Sequence, residues 1–311
     1  MNEPRSLARP RALRAGDRIA IVCASGPVDA AALDTGLDAL RFAGLEPDVY
    51  PSATEPGSFR EYLAGDDKTR AADLIAALTD PDISGIVFAK GGYGAQRTLE
   101  CVDWERVSEA GLPPKVLVGY SDVTAILEAV AVKLGWASLF GPMPGVPGKD
   151  AHYSFGSLLR TLTRPAGATG IRYPDAITVA GGVARGVTMG GTLTLLAASV
   201  GTDTSWPARG GILLLEDVEE EPFRLDRMLT QLRRSGYLDG VAGIITGTFT
   251  DCGSREDVHE ILTERLCDLH VPMLSWANVG HGGKFQTFPV GIAAELDADA
   301  RTLRLLDTPL A

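Results

Sequence analysis

The chain has 311 residues, 45% of them hydrophobic, enough to bury a core without disulfide or metal staples, which excludes disordered, collagen-like and mini-protein classes. Twenty-nine Lys and Arg against 40 Asp and Glu leave a net charge of −11, the wrong sign for a phosphate-backbone binder, so no nucleic-acid partner is expected. No run approaches the roughly 20 apolar residues of a membrane helix and no signal-peptide core precedes the first strand, so a cytoplasmic protein without a membrane partner is expected.

Arg5, Arg9, Arg11 and Arg14 crowd the N-terminus, which reads as a solvated, frayed end. From there to about residue 140, short β-rich runs alternate with Ala/Leu-rich helical patterns, the signature of βαβ units around a mostly parallel sheet flanked by helices. Strands are predicted over 18–24, 45–50, 83–89 and 115–118, and helices over 29–42, from Asp66-Asp67 to 78, near Gln96, and over 123–134. A Pro- and Gly-rich stretch with one short helix at 154–162 reads as a crossover between domains. The expected division is a domain over 1–144, a linker over 145–177 and a mixed, β-rich, barrel-like domain over 178–311. In the latter, strands are predicted at 181–188, 211–215, 240–246 and 272–276, and a hairpin at 288–296 and 302–306, with helices at 192–200, 224–236 and 254–269. The four cysteines, Cys23, Cys101, Cys252 and Cys267, form no CxxC pair and read as buried hydrophobes of a reducing compartment. With no HExxH and no paired ligand spacing, neither metal nor cofactor is expected.

Ser121, in Gly119-Tyr120-Ser121-Asp122, sits where a buried strand turns sharply into a helix. Such a turn exposes a hydroxyl beside free backbone N–H groups, although Ser-Asp before a helix is equally the signature of a plain N-cap. The Gly91-Gly92-Tyr93-Gly94 loop follows the neighbouring strand and would emerge at the same sheet edge, either as an oxyanion donor or phosphate cradle or as a turn without a ligand. Among four histidines, His152, His259 and His270 lie in the crossover, on a polar helix face and at a helix end. His281 stands apart in the glycine-flanked loop Val279-Gly280-His281-Gly282-Gly283. Glu216 ends an apolar run that would deliver its carboxylate to the sheet edge. Asp217, Glu219, Glu220 and Glu221 behind it form an acidic cluster open to reading as a solvated turn neutralised by Arg224 and Arg227.

Taken together, Tyr62-Leu-Ala-Gly-Asp66, Lys90-Gly-Gly-Tyr-Gly-Ala-Gln-Arg97, Gly119-Tyr-Ser-Asp122, Leu215-Glu-Asp-Val218 with Glu221-Pro-Phe-Arg-Leu-Asp-Arg227, and Gly280-His281 resemble the serine LD-carboxypeptidase family. That family includes the muramoyltetrapeptide carboxypeptidases and the microcin C self-immunity peptidases. The resemblance implies a triad of Ser121 as nucleophile, Glu216 as orienting acid and His281 as base, with the N–H groups of Gly92 and Asp122 as oxyanion hole. It also implies a small peptide substrate and a homodimer. Lys90, Tyr93 and Arg97 are the expected substrate contacts, with a structural ion pair as the alternative for the two cations. Trp206 is the position for an aromatic shelf should the substrate be a peptidyl nucleotide, or else a core residue. Phe140 stands where murein-cleaving members commonly carry His, Lys90 where many carry Arg, and Thr192 where Asn is usual. Two alternatives remain: an immunity-type peptidase acting on peptidyl or aminoacyl nucleotides, and a non-catalytic ligand-binding protein on the same scaffold.

Overall fold

A computed structural model describes residues 4–54, 60–146 and 151–311. The first half alternates β1 (Arg18–Val22), α1 (Ala30–Phe42), β2 (Glu46–Val49), α2 (Asp67–Thr79), β3 (Ile83–Phe88), α3 (Ala95–Leu99), α4 (Trp104–Glu109), β4 (Val116–Gly119), α5 (Thr124–Leu134) and β5 (Ser138–Phe140). These strands pair in parallel in the order β2-β1-β3-β4-β5. β1, β3 and β4 are buried almost throughout, as expected of parallel strands covered by helices on both faces. Helix starts follow the sequence: the carboxylates of Asp29, Asp66 and Asp103 accept from backbone N–H groups of the first turns of α1, α2 and α4. The strand order reverses between β1 and β3, and the loops after them meet at the carboxyl edge, where Gly26 N–H donates to Gly91 O at 3.1 Å.

After α6 (Ala151–Thr163), the second half runs β6 (Gly170–Arg172), β7 (Ile177–Ala180), β8 (Val183–Thr192), α7 (Leu193–Ser199), β9 (Gly211–Val218), α8 (Pro222–Arg234), β10 (Gly243–Thr250), α9 (Arg255–Leu266), β11 (Met273–Ser275), β12 (Phe288–Val290), β13 (Ala293–Asp297) and β14 (Thr302–Leu305). Eight of these strands form one sheet in the order β6-β14-β13-β8-β9-β10-β11-β7. It is open rather than barrel-like, with β6 and β7 as its two edges. The reason is that β8 to β11 are parallel neighbours joined by α7, α8 and α9, so crossover helices, not a closed lumen, bury its face. The expected strand over 288–296 is two strands in two sheets. Gly291 takes φ +86, and the chain breaks there, so that β12 pairs antiparallel with β5 as the sixth strand of the first sheet while β13 stays in the second.

Alternation along β9 organises the packing. Leu213 and Leu215 face a core made with Leu193, Leu196, Leu225, Leu229 and Leu262 of the helices. Ile212 and Leu214 instead join a core shared with Ile126 and Val130 of α5 and with Phe140 and Phe288 of the first sheet. Side chains point to opposite faces at successive positions, so Glu216 continues the face that looks toward the first half and Asp217 the face that looks toward α7.

Two sequence expectations are corrected here. The N-terminus is pinned, not frayed: Leu7 N–H bonds to Gly291 O at 2.7 Å, Ala12 N–H to Ala311 O at 3.0 Å, and Arg11 pairs with Asp17 at 2.7 Å. Cys23 and Cys252 are buried, but Cys101 is exposed, because it follows the short α3 rather than lying in a core strand. Among the described residues no helix is long and apolar enough to cross a membrane.

The seam between the halves holds a buried carboxyl. Glu128 of α5 is 3% exposed and its Oε1 accepts from Trp206 N–H and Tyr237 O–H of the second half, both at 3.1 Å. Its Oε2 has no partner among the described residues. Burial raises its pKa to about 7, against the lowering effect of the nearby Ser199 hydroxyl and of these hydrogen bonds. The unfolded chain releases this proton near 4.5 while the folded chain still holds it, so stability falls as pH rises between those values, by about 3 kcal/mol in all. Glu128→Gln is therefore expected to melt like wild type at pH 5 and above it at pH 8, as thermal melts at the two pH values would record.

Candidate active site

Ser121 occupies the turn between β4 and α5 with φ +60, a left-handed conformation that is costly for any residue but glycine. Gly119 permits the turn: a Cβ there would lie 3.0 Å from Val123 Cβ and 3.2 Å from Phe88 Cδ2. No side chain caps this turn or α5, so the plain N-cap reading of Ser121 fails. The loop after β3 lies against the serine. A Cβ on Gly91 would be 2.9 Å from Ser121 Cβ, 3.1 Å from its Oγ and 3.4 Å from Asp122 N, so only glycine leaves space beside the hydroxyl. Gly92, at φ +109, turns its backbone at the same edge, and the Asp122 N–H is among the first of a helical segment, where no intrahelical acceptor exists.

The Asp122 carboxylate ties three loops together. It is 4% exposed and accepts from Ser25 Oγ after β1 at 2.6 Å and from Ala95 N–H after β3 at 2.7 Å. Burial pushes its pKa up, and those two bonds pull against the shift. Ser25 is a residue that sequence reasoning passed over, although its place in Ser25-Gly26 after the first strand marked it as part of the same edge. Beneath the loop, fully buried Arg70 of α2 donates to Thr98 Oγ1 at 2.9 Å and Ala64 O at 3.0 Å, and pairs with Asp67.

Glu216 is fully buried at the end of β9. Its Oε2 accepts from His281 Nδ1 at 2.7 Å and from the His281 backbone N–H at 3.1 Å, while Oε1 accepts from Thr192 Oγ1 at 2.5 Å. Gly280, at φ +104, lets the loop close onto the carboxylate: a Cβ there would be 2.7 Å from Glu216 Cδ and closer still to Oε2. For His281, desolvation lowers the pKa, but the charge and hydrogen bond of Glu216 outweigh it and the net shift is upward. With Nδ1–H donating to the carboxylate, Nε2 is left as the basic nitrogen.

The two halves meet through Tyr120, whose ring lies 4.9 Å from the His281 ring and 5.0 Å from Phe285. Among the described residues Ser121 makes no hydrogen bond to His281, whose Nδ1 is engaged by Glu216. A cavity of about 240 Å³ opens at the imidazole, lined by Tyr120, Phe155, Val218, His281 and Phe285 among others. Phe140 is fully buried behind it, 6.0 Å from the Tyr120 ring and 5.7 Å from Phe285.

The expected substrate contacts are less convergent. Lys90 Nζ donates to Pro27 O at 2.9 Å, and Arg97 pairs with Asp67 at 2.5 Å, so both cations already have structural partners. Tyr93 is half-exposed, edge-on to Tyr62 at 5.6 Å. Trp206 is half-buried against the core on the Glu128 side of α5, away from the lining of the cavity at His281. The acidic cluster is not one solvated turn. Asp217 is 2% exposed and accepts from the N–H and hydroxyl of Thr194, both at 2.8 Å; burial, then the Glu216 charge, raises its pKa to about 6. Glu220 pairs with Arg224 at 3.7 Å. His259 and His270 lie on and after α9 and do not line the cavity at His281, and the side chain of His152 lies outside the described residues.

Residues 19–141 match the family described as the LD-carboxypeptidase N-terminal domain, and residues 185–296 match its C-terminal domain. A carboxypeptidase-family relative from Streptomyces coelicolor is 46% identical over 303 residues, 97% of each chain. The murein tetrapeptide carboxypeptidase of Pseudomonas aeruginosa is 31% identical over 301 residues, 91% of this chain and 94% of its own. In fold, the chain is similar to MccF, a microcin C7 self-immunity protein solved in complex with glutamyl sulfamoyl guanosine, with TM-score 0.86 and 23% identity over 98% of this chain and 100% of that one. With both halves matched and the relatives aligned nearly end to end, the chain belongs to the LD-carboxypeptidase family of peptidases.

Proposed function

We propose that the protein is a serine LD-carboxypeptidase that removes the terminal D-alanine from cytoplasmic murein tetrapeptide, by hydrolysing the amide between the L-centre of the diamino acid and D-alanine during cell-wall recycling. The observation that carries this reading is the Glu216–His281 pair, 2.7 Å apart on a fully buried carboxylate, with the ring of Tyr120, the residue before Ser121, 4.9 Å from the imidazole. His281 Nε2 takes the Ser121 proton as Oγ bonds to the amide carbon. Glu216 holds the imidazole in the required tautomer and stabilises the imidazolium. The Gly92 and Asp122 N–H groups receive the oxyanion, each worth roughly 3 to 4 kcal/mol in such sites. The C–N bond then breaks, His281 returns its proton to the departing amine of D-alanine, and water hydrolyses the acyl-serine by the same relay.

A second reading stays open through Phe140. This ring is buried against Tyr120 and Phe285 where murein-cleaving members commonly carry His; the departure weakens the murein assignment and keeps an immunity-type peptidase acting on aminoacyl nucleotides as the alternative. Mass-spectrometric detection of D-alanine from a murein tetrapeptide, beside turnover of an aminoacyl sulfamoyl nucleotide, separates the two. Release of D-alanine supports the first reading, cleavage of the nucleotide alone supports the second, and turnover of neither by folded protein supports a non-catalytic binding protein.

The pH profile follows from the upward shift of His281. Only the neutral imidazole can accept the serine proton, so activity is lost as pH falls through the pKa of His281. The acid limb of kcat/KM is therefore expected above the ordinary 6.5, and Glu216→Gln, which removes the charge, is expected to move it down.

A further inference from the structure

We propose that Thr192 is a positioning residue that holds Glu216 in its working rotamer and ties the acid–base pair of the second half to the helix that carries the nucleophile turn. This inference rests on the triad reading above. Thr192 is the last residue of β8 and pairs in register with Glu216 on β9. It is 3% exposed, its Oγ1 donates to Glu216 Oε1 at 2.5 Å, and its backbone N–H donates to Thr124 Oγ1 at 3.2 Å. Thr124 opens α5, three residues after Ser121. The approach depends on the bend at Gly190 and Gly191, at φ +96 and +154; a Cβ on Gly191 would lie 2.8 Å from both Thr124 Oγ1 and Cγ2.

Glu216 is fully buried, so each of its acceptor oxygens needs a donor from the protein. His281 occupies Oε2 twice, through Nδ1 and its backbone N–H, and Thr192 Oγ1 is the side-chain donor to Oε1. Remove that hydroxyl and Oε1 is a buried acceptor without a partner. The carboxylate is then free to turn toward other donors, which lengthens the Nδ1 contact and weakens the hold on the imidazole. The other titratable groups around the pair are Tyr120 from the first half, Asp217 and Glu219 on and after β9, and Cys252 beyond β10. None of them bonds to Thr192, so substitution there leaves them in place.

The test uses Thr192→Val, which keeps shape and loses the donor, and Thr192→Ser, which keeps it. For Thr192→Val, kcat on whichever peptide or nucleotide substrate wild type turns over is expected to fall roughly 10- to 100-fold with KM little changed. The His281 titration followed by NMR is expected to move back down toward that of an ordinary imidazole, and Thr192→Ser is expected to restore both. Wild-type kcat and an unmoved titration in Thr192→Val overturn the proposal, as does a Thr192→Ser protein as impaired as Thr192→Val, since bulk and not the hydroxyl would then matter. If wild type turns over no substrate, the triad reading fails by itself. The NMR titration still decides whether Thr192 holds the Glu216–His281 pair.

Discussion

Ser121→Ala is expected to give a folded protein whose turnover of the tetrapeptide falls by about four to six orders of magnitude, with substrate binding retained. The size follows from the unit behaviour of such triads, in which loss of the nucleophile leaves only what binding and the oxyanion hole supply. The stability half of this expectation is equally specific. A serine acting as N-cap would cost about 1 kcal/mol on truncation, but no side chain caps the turn or α5, and alanine bears the φ of +60 no worse than serine does. Melting temperatures within about a degree are therefore expected beside a lost D-alanine signal in mass spectrometry. A residual activity within tenfold of wild type would remove Ser121 from the chemistry, whereas a large fall in melting temperature would return it to a structural role.

The sequence carries the layout of this edge because each piece obeys a local rule. β4 is a buried apolar run that ends in a glycine-framed turn, and β9 places Glu216 by simple alternation, with Ile212 and Leu214 on one face and Leu213 and Leu215 on the other. That alternation also separates Glu216 from Asp217, which bonds to Thr194 and belongs to the structure of α7 rather than to a solvated acidic turn. What could not be read depends on partners distant in the chain. β5 and β6 are three residues each, too short for any periodicity, and exist because neighbouring strands supply their hydrogen bonds, while the break at Gly291 that sends β12 to β5 depends on that same distant pairing. The pinned N-terminus is another case, since Leu7 and Ala12 find acceptors at Gly291 and Ala311. Thr192 escaped for the same reason: nothing in Gly-Gly-Thr reveals that its hydroxyl meets a carboxylate 24 residues ahead. Lys90 and Arg97 were noticed for their charge, yet Pro27 O and Asp67 engage them, contacts that spacing alone does not disclose.

Gly280→Ala is expected to cost about three to four orders of magnitude in kcat although the methyl touches no substrate. A Cβ at this position would overlap the Glu216 carboxylate, lying 2.7 Å from both its Cγ and Cδ. Glu216 is fully buried, so either the side chain rotates out of its bonds to His281 and Thr192 or the 279–281 backbone retreats. Both routes break the 2.7 Å contact to Nδ1 and the 3.1 Å contact to the His281 N–H, which is equivalent to removing the orienting acid, a change worth about 10⁴ in comparable triads. The backbone adds its own cost, because φ +104 suits glycine and costs any other residue about 1 to 3 kcal/mol. Gly135→Ala separates the two effects. Gly135 also has positive φ, +66, but nothing lies within 4 Å of a Cβ built there, so it is expected to lower stability by about 1 kcal/mol and leave kcat intact. If Gly280→Ala loses stability on the same scale as Gly135→Ala yet keeps its activity, the Glu216–His281 contact is not what sets the rate; if it loses activity along with the Nδ1–H signal in NMR, closure of this loop onto the carboxylate is what makes His281 a base.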